Sequence, residues 1–165
     1  MPYALLMVAL VALDQLVKYL VLQYIPLGAH VPFLPHLVEL TYVKNTGAAF
    51  SLFSQHTWLL ALTSLVMSLV LAAALWKNFF SHPLGKIPLT LLLAGAVGNL
   101  IDRAFRGYVV DMFNFLFMDF AVFNVADICV VVGGIAAALY YLFLYNKLEP
   151  GWKGGCDHGN TDTDR

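Results

Sequence analysis

The third apolar stretch of this chain, IPLTLLLAGAVGNLIDRAF at residues 87–105, is about as long as a helix needs to be to cross a membrane. It is polar only near its C-terminal end, where Asn99, Asp102 and Arg103 stand. Charged side chains are costly inside a bilayer and usually have a partner or a function there. The stretch therefore predicts a membrane helix that carries polar groups to one depth.

The rest of the composition agrees with a chain solvated by lipid. Of its 165 residues, 61% are hydrophobic, whereas a soluble domain is typically about 45–50% apolar. The net charge is −1 and there is no basic stripe, so no nucleic-acid partner is predicted. Two cysteines do not suggest a disulfide framework, and nothing completes a metal site around Cys156–His158. We therefore predict no metal site.

Three further stretches are long and apolar enough to span a membrane, at residues 3–24, 57–76 and 123–145. The first contains Asp14 and Lys18, whose spacing favours an internal ion pair, with Asp14 as a reacting acid as the alternative. The fourth is polar only near its N-terminal end. Because the third and fourth spans run in opposite directions, their polar ends meet at one membrane boundary. The predicted fold is an all-α membrane protein with four transmembrane helices.

Three segments lie outside these spans. Segment 25–56 has turn residues and partial period-two alternation, which predicts a small β-rich surface segment at about 28–55 with a turn at Asn45–Gly47. Segment 107–122 is apolar but too short to cross with its loops, so we expect an interfacial loop there. Residues 150–165 are rich in glycine and aspartate, which predicts a flexible tail.

The distribution of lysine and arginine predicts the orientation. Membrane proteins carry an excess of these residues in their cytoplasmic loops. Five charges on one side against two on the other predict that both termini and the 77–86 turn are cytoplasmic. The five are Lys77, Lys86, Lys147, Lys153 and Arg165, and the two are Lys44 and Arg106.

The polar residues of the third span follow helical spacing. Residues three and four apart share one face of a helix, and a small residue on that face lets another helix approach closely. Helix-packing contacts, with the arginines extending to the interface, are the alternative to a functional site. The shared face is formed by Gly95, Asn99, Asp102 and Arg106, with Gly98 beside it and Arg103 within reach of the same cavity.

Two acids near this boundary suggest chemistry. Asp111 is flanked by apolar residues, so burial is expected to raise its pKa. Asp127 follows Asn124 by three residues on one helical face, in about the second turn, where interaction with the helix dipole is fading. Arg103 and Arg106 should keep Asp102 charged, and Asp119 should be solvated.

Two carboxyls that share a proton can activate water and protonate a leaving group, as in aspartic peptidases. Transporters also keep acids in membranes. A small polytopic carrier with a proton relay and a non-catalytic assembly subunit therefore stay as alternatives.

The chain resembles the lipoprotein signal peptidases (signal peptidase II), bacterial intramembrane aspartic peptidases. The resemblance covers about residues 3–145 and rests on five stretches that occur in the family's order. They are DQLVK at 14–18, KNTGAAFS at 44–51, GNLIDR at 98–103, GYVVDMF at 107–113 and FNVAD at 123–127.

The resemblance implies roles for the matching residues. It implies catalysis by Asp111 and Asp127. Substrate binding and support fall on Asn45, Asn99, Arg103 and Asn124, and auxiliary structural roles on Asp14, Lys18 and Asp102.

The resemblance also implies a substrate and a location. The substrate would be a prolipoprotein with a diacylglyceryl group on its lipobox cysteine, cut on the N-terminal side of that cysteine. Membrane lipids and the cyclic peptide globomycin are further implied partners, and no metal or organic cofactor is implied. Residues 1–149 would form one peptidase domain in the bacterial inner membrane, with the active site near the extracytoplasmic face and 150–165 as a cytoplasmic tail.

Overall fold

The computed structural model describes residues 2–47 and 57–149. Within these ranges, four helices are long and apolar enough to cross a membrane, as the sequence predicts. The elements in chain order are α1 (Pro2–Tyr24), β1 (His30–Leu34), β2 (Val38–Asn45), α2 (Thr57–Trp76), α3 (Pro83–Arg106), β3 (Val109–Phe115) and α4 (Val125–Leu139). A π-helical turn at Tyr140–Leu144 and a short helix α5 (Tyr145–Leu148) extend α4.

Helix α3 is the centre of the bundle and packs against α1, α2 and α4. It begins at Pro83, which follows the N-cap His82, and it ends at Arg106. The C-cap is Gly107, which has the left-handed conformation with a φ of 75° that glycine adopts without strain. Its buried face contains ten residues, whereas α2 buries only Ser68. A helix that contacts three neighbours can keep its polar side chains away from lipid. This explains why the polar residues of the site lie on α3.

The three strands form one antiparallel sheet in the order β1-β2-β3. The turn predicted at Asn45–Gly47 is present, since Asn45 Oδ1 accepts the Gly47 N–H at 2.9 Å. The turn that joins β1 to β2, however, lies at residues 35–37, with His36 at a φ of 61°. Residues 48–55 of the predicted β-rich segment lie outside the described residues.

The predicted interfacial loop at 107–122 is wrong for its first half, because Val109–Phe115 is strand β3. This strand pairs with β2, with Val43 opposite Asp111 and Asn45 opposite Val109. Its first four residues are all buried. A strand covered on both faces shows no apolar–polar alternation, so the pattern expected of a half-buried strand is missing from the sequence.

The two ends of the bundle differ in character. The C-terminal ends of α1 and α3, the N-terminus of α4 and the sheet occupy one end. At the opposite end, Glu149 accepts hydrogen bonds from the backbone N–H groups of Ser81 (2.9 Å) and His82 (3.1 Å) and from Tyr140 Oη (2.6 Å). The polar residues of the third and fourth spans thus meet at one end, as predicted.

Candidate active site

Two glycines allow the helices around the site to come close together. A Cβ added at Gly95 would lie 2.4 Å from the Ala126 carbonyl oxygen on α4. A Cβ added at Gly98 would lie 2.7 Å from Asp14 Oδ2 on α1. The prediction of close helix approach at this face of α3 is therefore confirmed.

A buried cluster of charges joins α1 to α3. Lys18, with no exposed surface, places Nζ 2.9 Å from Asp14 Oδ2 and 3.0 Å from Asp102 Oδ2, so the predicted internal ion pair of α1 is present. Asp102 also pairs with Arg106, as expected. Arg103, the other expected partner of Asp102, instead donates to Ser64 Oγ on α2 at 3.1 Å. The two carboxylates are compensated by two positive charges, the Lys18 ammonium and the Arg106 guanidinium.

The same cluster holds the backbone beside each candidate acid. Asp102 Oδ2 accepts the Val110 N–H at 3.1 Å, next to Asp111. Asp14 Oδ1 accepts the Ala126 N–H at 2.9 Å, next to Asp127. Both auxiliary carboxylates therefore bind the chain one residue before a candidate catalytic residue, which fixes where β3 and α4 present their acids.

Asp111 is almost fully buried, with 1% of its surface exposed. Its Oδ2 accepts from Asn45 Nδ2 at 2.8 Å and its Oδ1 from Asn124 Nδ2 at 2.6 Å. Burial, and then the charge of Asp127, raise the pKa of Asp111 to about 7, although the two amide donors and Lys18 act in the opposite direction. At neutral pH this carboxyl can therefore either hold or release a proton.

The orientations of the two asparagine amides follow from their other contacts. Asn45 Oδ1 accepts the Gly47 N–H, and Asn124 Oδ1 accepts the Asp127 N–H at 2.9 Å. Since each carbonyl oxygen faces a backbone donor, each Nδ2 must face Asp111. Toward Asp111, both amides can therefore act as donors and not as acceptors; Asn124 Nδ2 also donates to Asn99 Oδ1 at 3.3 Å.

Asp127 lies in the first turn of α4, so the predicted second-turn position is wrong. Asn124 is the N-cap, and Asp127, the third residue of the helix, completes a capping box by accepting the Asn124 N–H at 3.2 Å. Asn99 Nδ2 donates to Asp127 Oδ1 at 2.8 Å. Lys18 orients this amide by donating to Asn99 Oδ1 at 3.1 Å. A single chain of contacts thus runs from the buried lysine to the half-buried Asp127.

Both acids line one cavity of about 480 Å³, a size typical of small-ligand sites. Besides the two acids, its polar lining residues are Asn45, Asn99 and Arg103, and most of the lining is apolar. The remaining lining residues are Val109, Phe115, Phe120, Ala121, Val122, Phe123, Ile128, Val130, Val131 and Val132. The arrangement can hold a molecule with a polar group at the acids and a long apolar portion along α4.

The sequence interpretation missed two polar residues near the site. Gln15 donates to Asp102 Oδ1 at 3.3 Å and accepts from Arg106 at 3.2 Å, and Ser64 binds Arg103. The position of Gln15 directly after the candidate Asp14 was the feature of the sequence that could have indicated its role. Ser64 offered no signal, because a serine in a membrane helix can bond to its own backbone. Asp119 is exposed, as expected.

Known proteins resemble this chain over most of its length. Residues 6–143 match the family described as signal peptidase (SPase) II. A lipoprotein signal peptidase of Enterococcus faecalis is 42% identical over 153 residues, covering 93% of this chain and 94% of that protein. One from Streptococcus pneumoniae is 44% identical over 138 residues, covering 80% of this chain and 86% of that protein.

Solved structures agree with the sequence relatives. A bacterial membrane enzyme determined by the in meso method at 2.3 Å resolution has a TM-score of 0.81 and 28% identity, covering 88% of this chain and 90% of that chain. A second such structure, at 1.9 Å resolution, has a TM-score of 0.79 and 28% identity, covering 86% and 93%. Since the family match and these relatives extend over most of the chain, it belongs to the signal peptidase II family.

Proposed function

We propose that this multi-pass bacterial membrane protease is an aspartic endopeptidase with Asp111 and Asp127 as its catalytic pair. Its reaction is the removal of the signal peptide from prolipoproteins, in keeping with relatives named lipoprotein signal peptidases. These relatives give no support to the alternative of a small proton-relay carrier.

One observation supports an aspartic catalytic mechanism most directly. Asp111, whose pKa burial and the Asp127 charge raise to about 7, lines the same cavity as Asp127. An aspartic peptidase needs one protonated and one ionised carboxyl at the reacting carbonyl, and two close carboxyls tend toward that state. The apparent pKa values belong to the pair rather than to one residue.

In the proposed reaction, each acid accepts one proton and donates one proton. The ionised carboxyl, assigned to Asp127, removes a proton from water as the oxygen attacks the peptide carbonyl. Asp111 donates its proton to the carbonyl oxygen, and a tetrahedral diol forms. Asp127 then gives its proton to the nitrogen while ionised Asp111 takes a proton from a diol hydroxyl. The C–N bond breaks, which releases the amine of the new N-terminus and the carboxylic acid of the signal peptide. Asn45 and Asn124 hold Asp111 in place, and Asn99 holds Asp127.

The cavity supports a lipid-bearing substrate. Its wall along Ile128–Val132 is apolar, and Val131 is 58% exposed. We infer that the diacylglyceryl chains of the lipobox cysteine lie against this wall among membrane lipids, with the peptide bond before that cysteine at the acids. Arg103 and Asn45 offer donors for the peptide backbone. Globomycin, a cyclic peptide, would occupy the same cavity as an inhibitor.

We infer that the site faces the extracytoplasmic side of the inner membrane and that both termini are cytoplasmic. The positive-inside rule supports this orientation. Lys77 and Lys86 flank the α2–α3 turn, and Lys147 lies at the same end of the bundle. The catalytic pair lies at the other end. Secreted prolipoproteins would present their lipid-modified cysteine there.

The decisive experiment measures cleavage of a lipidated prolipoprotein by purified single variants in lipid bilayers. Asp111→Asn and Asp127→Asn each keep the size of the side chain but cannot cycle the proton. We expect each to abolish cleavage, and the double variant to be little worse, because the two carboxyls act as a unit.

Asp119→Asn is the matched control, since Asp119 is an exposed acid between β3 and α4. It should cleave at the wild-type rate. Binding of globomycin by the two inactive variants would show that their cavities are folded. Substantial turnover by either Asp111→Asn or Asp127→Asn would refute the proposed pair.

A further inference from the structure

Ser64 reaches the site from α2, a helix without charged residues. Its Oγ lies 2.8 Å from the Leu60 carbonyl oxygen and 3.1 Å from Arg103 Nη1. A hydroxyl has one hydrogen, and Leu60 O, which can only accept, takes it. The lone pairs of Ser64 Oγ therefore face Arg103, and the serine acts toward the guanidinium only as an acceptor.

Arg103 lines the cavity and has a donor without a partner among the described residues. It lines the cavity together with Asp111 and Asp127. Its Nε is buried and has no hydrogen-bond partner among the described residues. Buried donors are rarely left unpaired in a native protein, and an exception calls for an explanation. Because the guanidinium belongs to a residue that lines the cavity, a peptide carbonyl of a bound substrate is an acceptor that its unpaired donors could use.

We propose that Ser64 is a positioning residue that fixes the Arg103 guanidinium so that its free N–H groups bind a carbonyl of the substrate backbone. This inference rests on the proposed peptidase function. Arginine carries its donors in a rigid planar fork, so fixing one nitrogen restricts the direction of the others. Ser64 holds Nη1 from α2, and the remaining donors stay available to a ligand.

The geometry predicts which kinetic constant changes. Arg103 would bind a carbonyl both in the bound substrate and in the transition state, and loss of such uniform binding raises KM without lowering kcat. A hydrogen bond involving a charged group typically changes an equilibrium constant by about tenfold to a hundredfold, and loosening one such bond without removing it falls at the lower end. Ser64→Ala should therefore raise KM about tenfold and leave kcat within about twofold.

The experiment compares kcat and KM for lipidated prolipoprotein in Ser64→Ala and four further variants. Ser64→Thr keeps the hydroxyl acceptor and should retain the wild-type KM. Ser68→Ala is the matched control, because Ser68 lies one turn further along α2 and bonds only to the Ser64 carbonyl, at 2.7 Å. Its KM should not change. Arg103→Lys, alone and combined with Ser64→Ala, completes a double-mutant cycle.

The outcomes separate positioning from a structural role. If Ser64 acts through Arg103, then Ser64→Ala has no further effect on KM in the Arg103→Lys background. Either an unchanged KM in Ser64→Ala or an equal rise in both backgrounds would overturn the inference. A fall in kcat at constant KM, the sign of a reduced folded fraction, would do the same. Failure of the wild-type protein to cleave would instead count against the peptidase function.

Discussion

At the scale of single residues, Asp111 is balanced between two opposing influences. Burial and the charge of Asp127 favour its protonated form, while the amides of Asn45 and Asn124 favour the carboxylate. Because a backbone N–H binds the carbonyl oxygen of each amide, neither amide can turn that oxygen toward Asp111. The result is a pKa of about 7, within the range in which an acid can both hold and donate a proton.

Asn45→Ala should move the alkaline limit of activity to higher pH. In the proposed mechanism Asp111 donates its proton, so kcat/KM falls as pH rises through its pKa of about 7. Asn45 lowers this pKa, and removing the amide lets it rise. The pH profile of kcat/KM between about pH 5 and pH 10 measures the shift directly, whatever the loss in absolute rate.

Asn114→Ala is the control for this shift. Like Asn45, Asn114 lies on a strand of the sheet and donates to a carboxylate, Glu39 Oε1, at 2.7 Å, but neither Asn114 nor Glu39 lines the cavity. Its alkaline limit should match that of the wild-type protein. If the limit for Asn45→Ala stayed in place or moved to lower pH, Asp111 would not be the proton donor.

The sequence predicted which acids to consider better than where they lie. Asp111 stood out because apolar residues flank it, and it is buried as expected. Asp127 was placed one turn too far into its helix, because the N-cap position of Asn124 depends on backbone angles that the sequence does not display. Arg103 was expected beside Asp102, but its partner is on α2, a tertiary contact that helical spacing cannot reveal.

At the scale of elements, the contact between α3 and α4 depends on the missing side chain of Gly95. Gly95→Ala should destabilise the protein even though alanine favours a helix by about 1 kcal/mol over glycine. The new Cβ would lie 2.4 Å from the Ala126 carbonyl oxygen and 2.6 Å from Val130 Cγ2, so the helices must separate. We expect a lower Tm and, because Asn99 would move away from Asp127, a loss of activity.

Gly134→Ala provides the comparison in the same pair of helices. A Cβ at Gly134 meets nothing within 4 Å, so this change should keep or slightly raise the Tm. Thermal unfolding of both variants in one detergent tests the difference. Equal Tm values for the two variants would mean that α3 and α4 tolerate a wider separation than the geometry indicates.

The elements themselves were unequally visible in the sequence. The four helices were predicted because a span is defined by length and apolarity alone. Strand β3 was missed because Val109, Val110, Asp111 and Met112 are all buried, so nothing in the segment alternates. Its place beside β2 comes from long-range pairing, and a single short apolar run does not identify its partner.

At the scale of the whole molecule, the proposed orientation in the membrane rests on the lysines at the end opposite the site. Ser81→Cys and Asp119→Cys place single thiols at exposed positions at the two ends, in a background without Cys129 and Cys156. A membrane-impermeant thiol reagent added to intact cells should label position 119 and not 81. Both should react after permeabilisation. Labelling of position 81 alone in intact cells would mean that the protein has the opposite orientation.

The boundary between the membrane domain and the tail is predicted to lie directly after Glu149. Residues 150–165 lie outside the described residues, and we propose that they are dispensable because they are polar and glycine-rich. A chain that ends at Glu149 should cleave prolipoprotein at the wild-type rate with the wild-type Tm. A loss of activity in the shortened chain, at a normal expression level, would contradict the prediction that residues 150–165 are dispensable.

Glu149→Ala in the same shortened chain should lower the Tm, because Glu149 joins the end of the last span to the α2–α3 turn. Burial alone would raise the pKa of Glu149, but hydrogen bonds from Tyr140, Ser81 and His82 lower it to about 2. A carboxyl with a lowered pKa stabilises the folded state above its ordinary value of about 4.5, and this stabilisation is lost as pH falls toward about 2. The Tm difference between the two chains should therefore be full at pH 7 and shrink on acidification. A difference that stayed constant down to about pH 3 would show that the carboxylate charge does not hold this end of the bundle together.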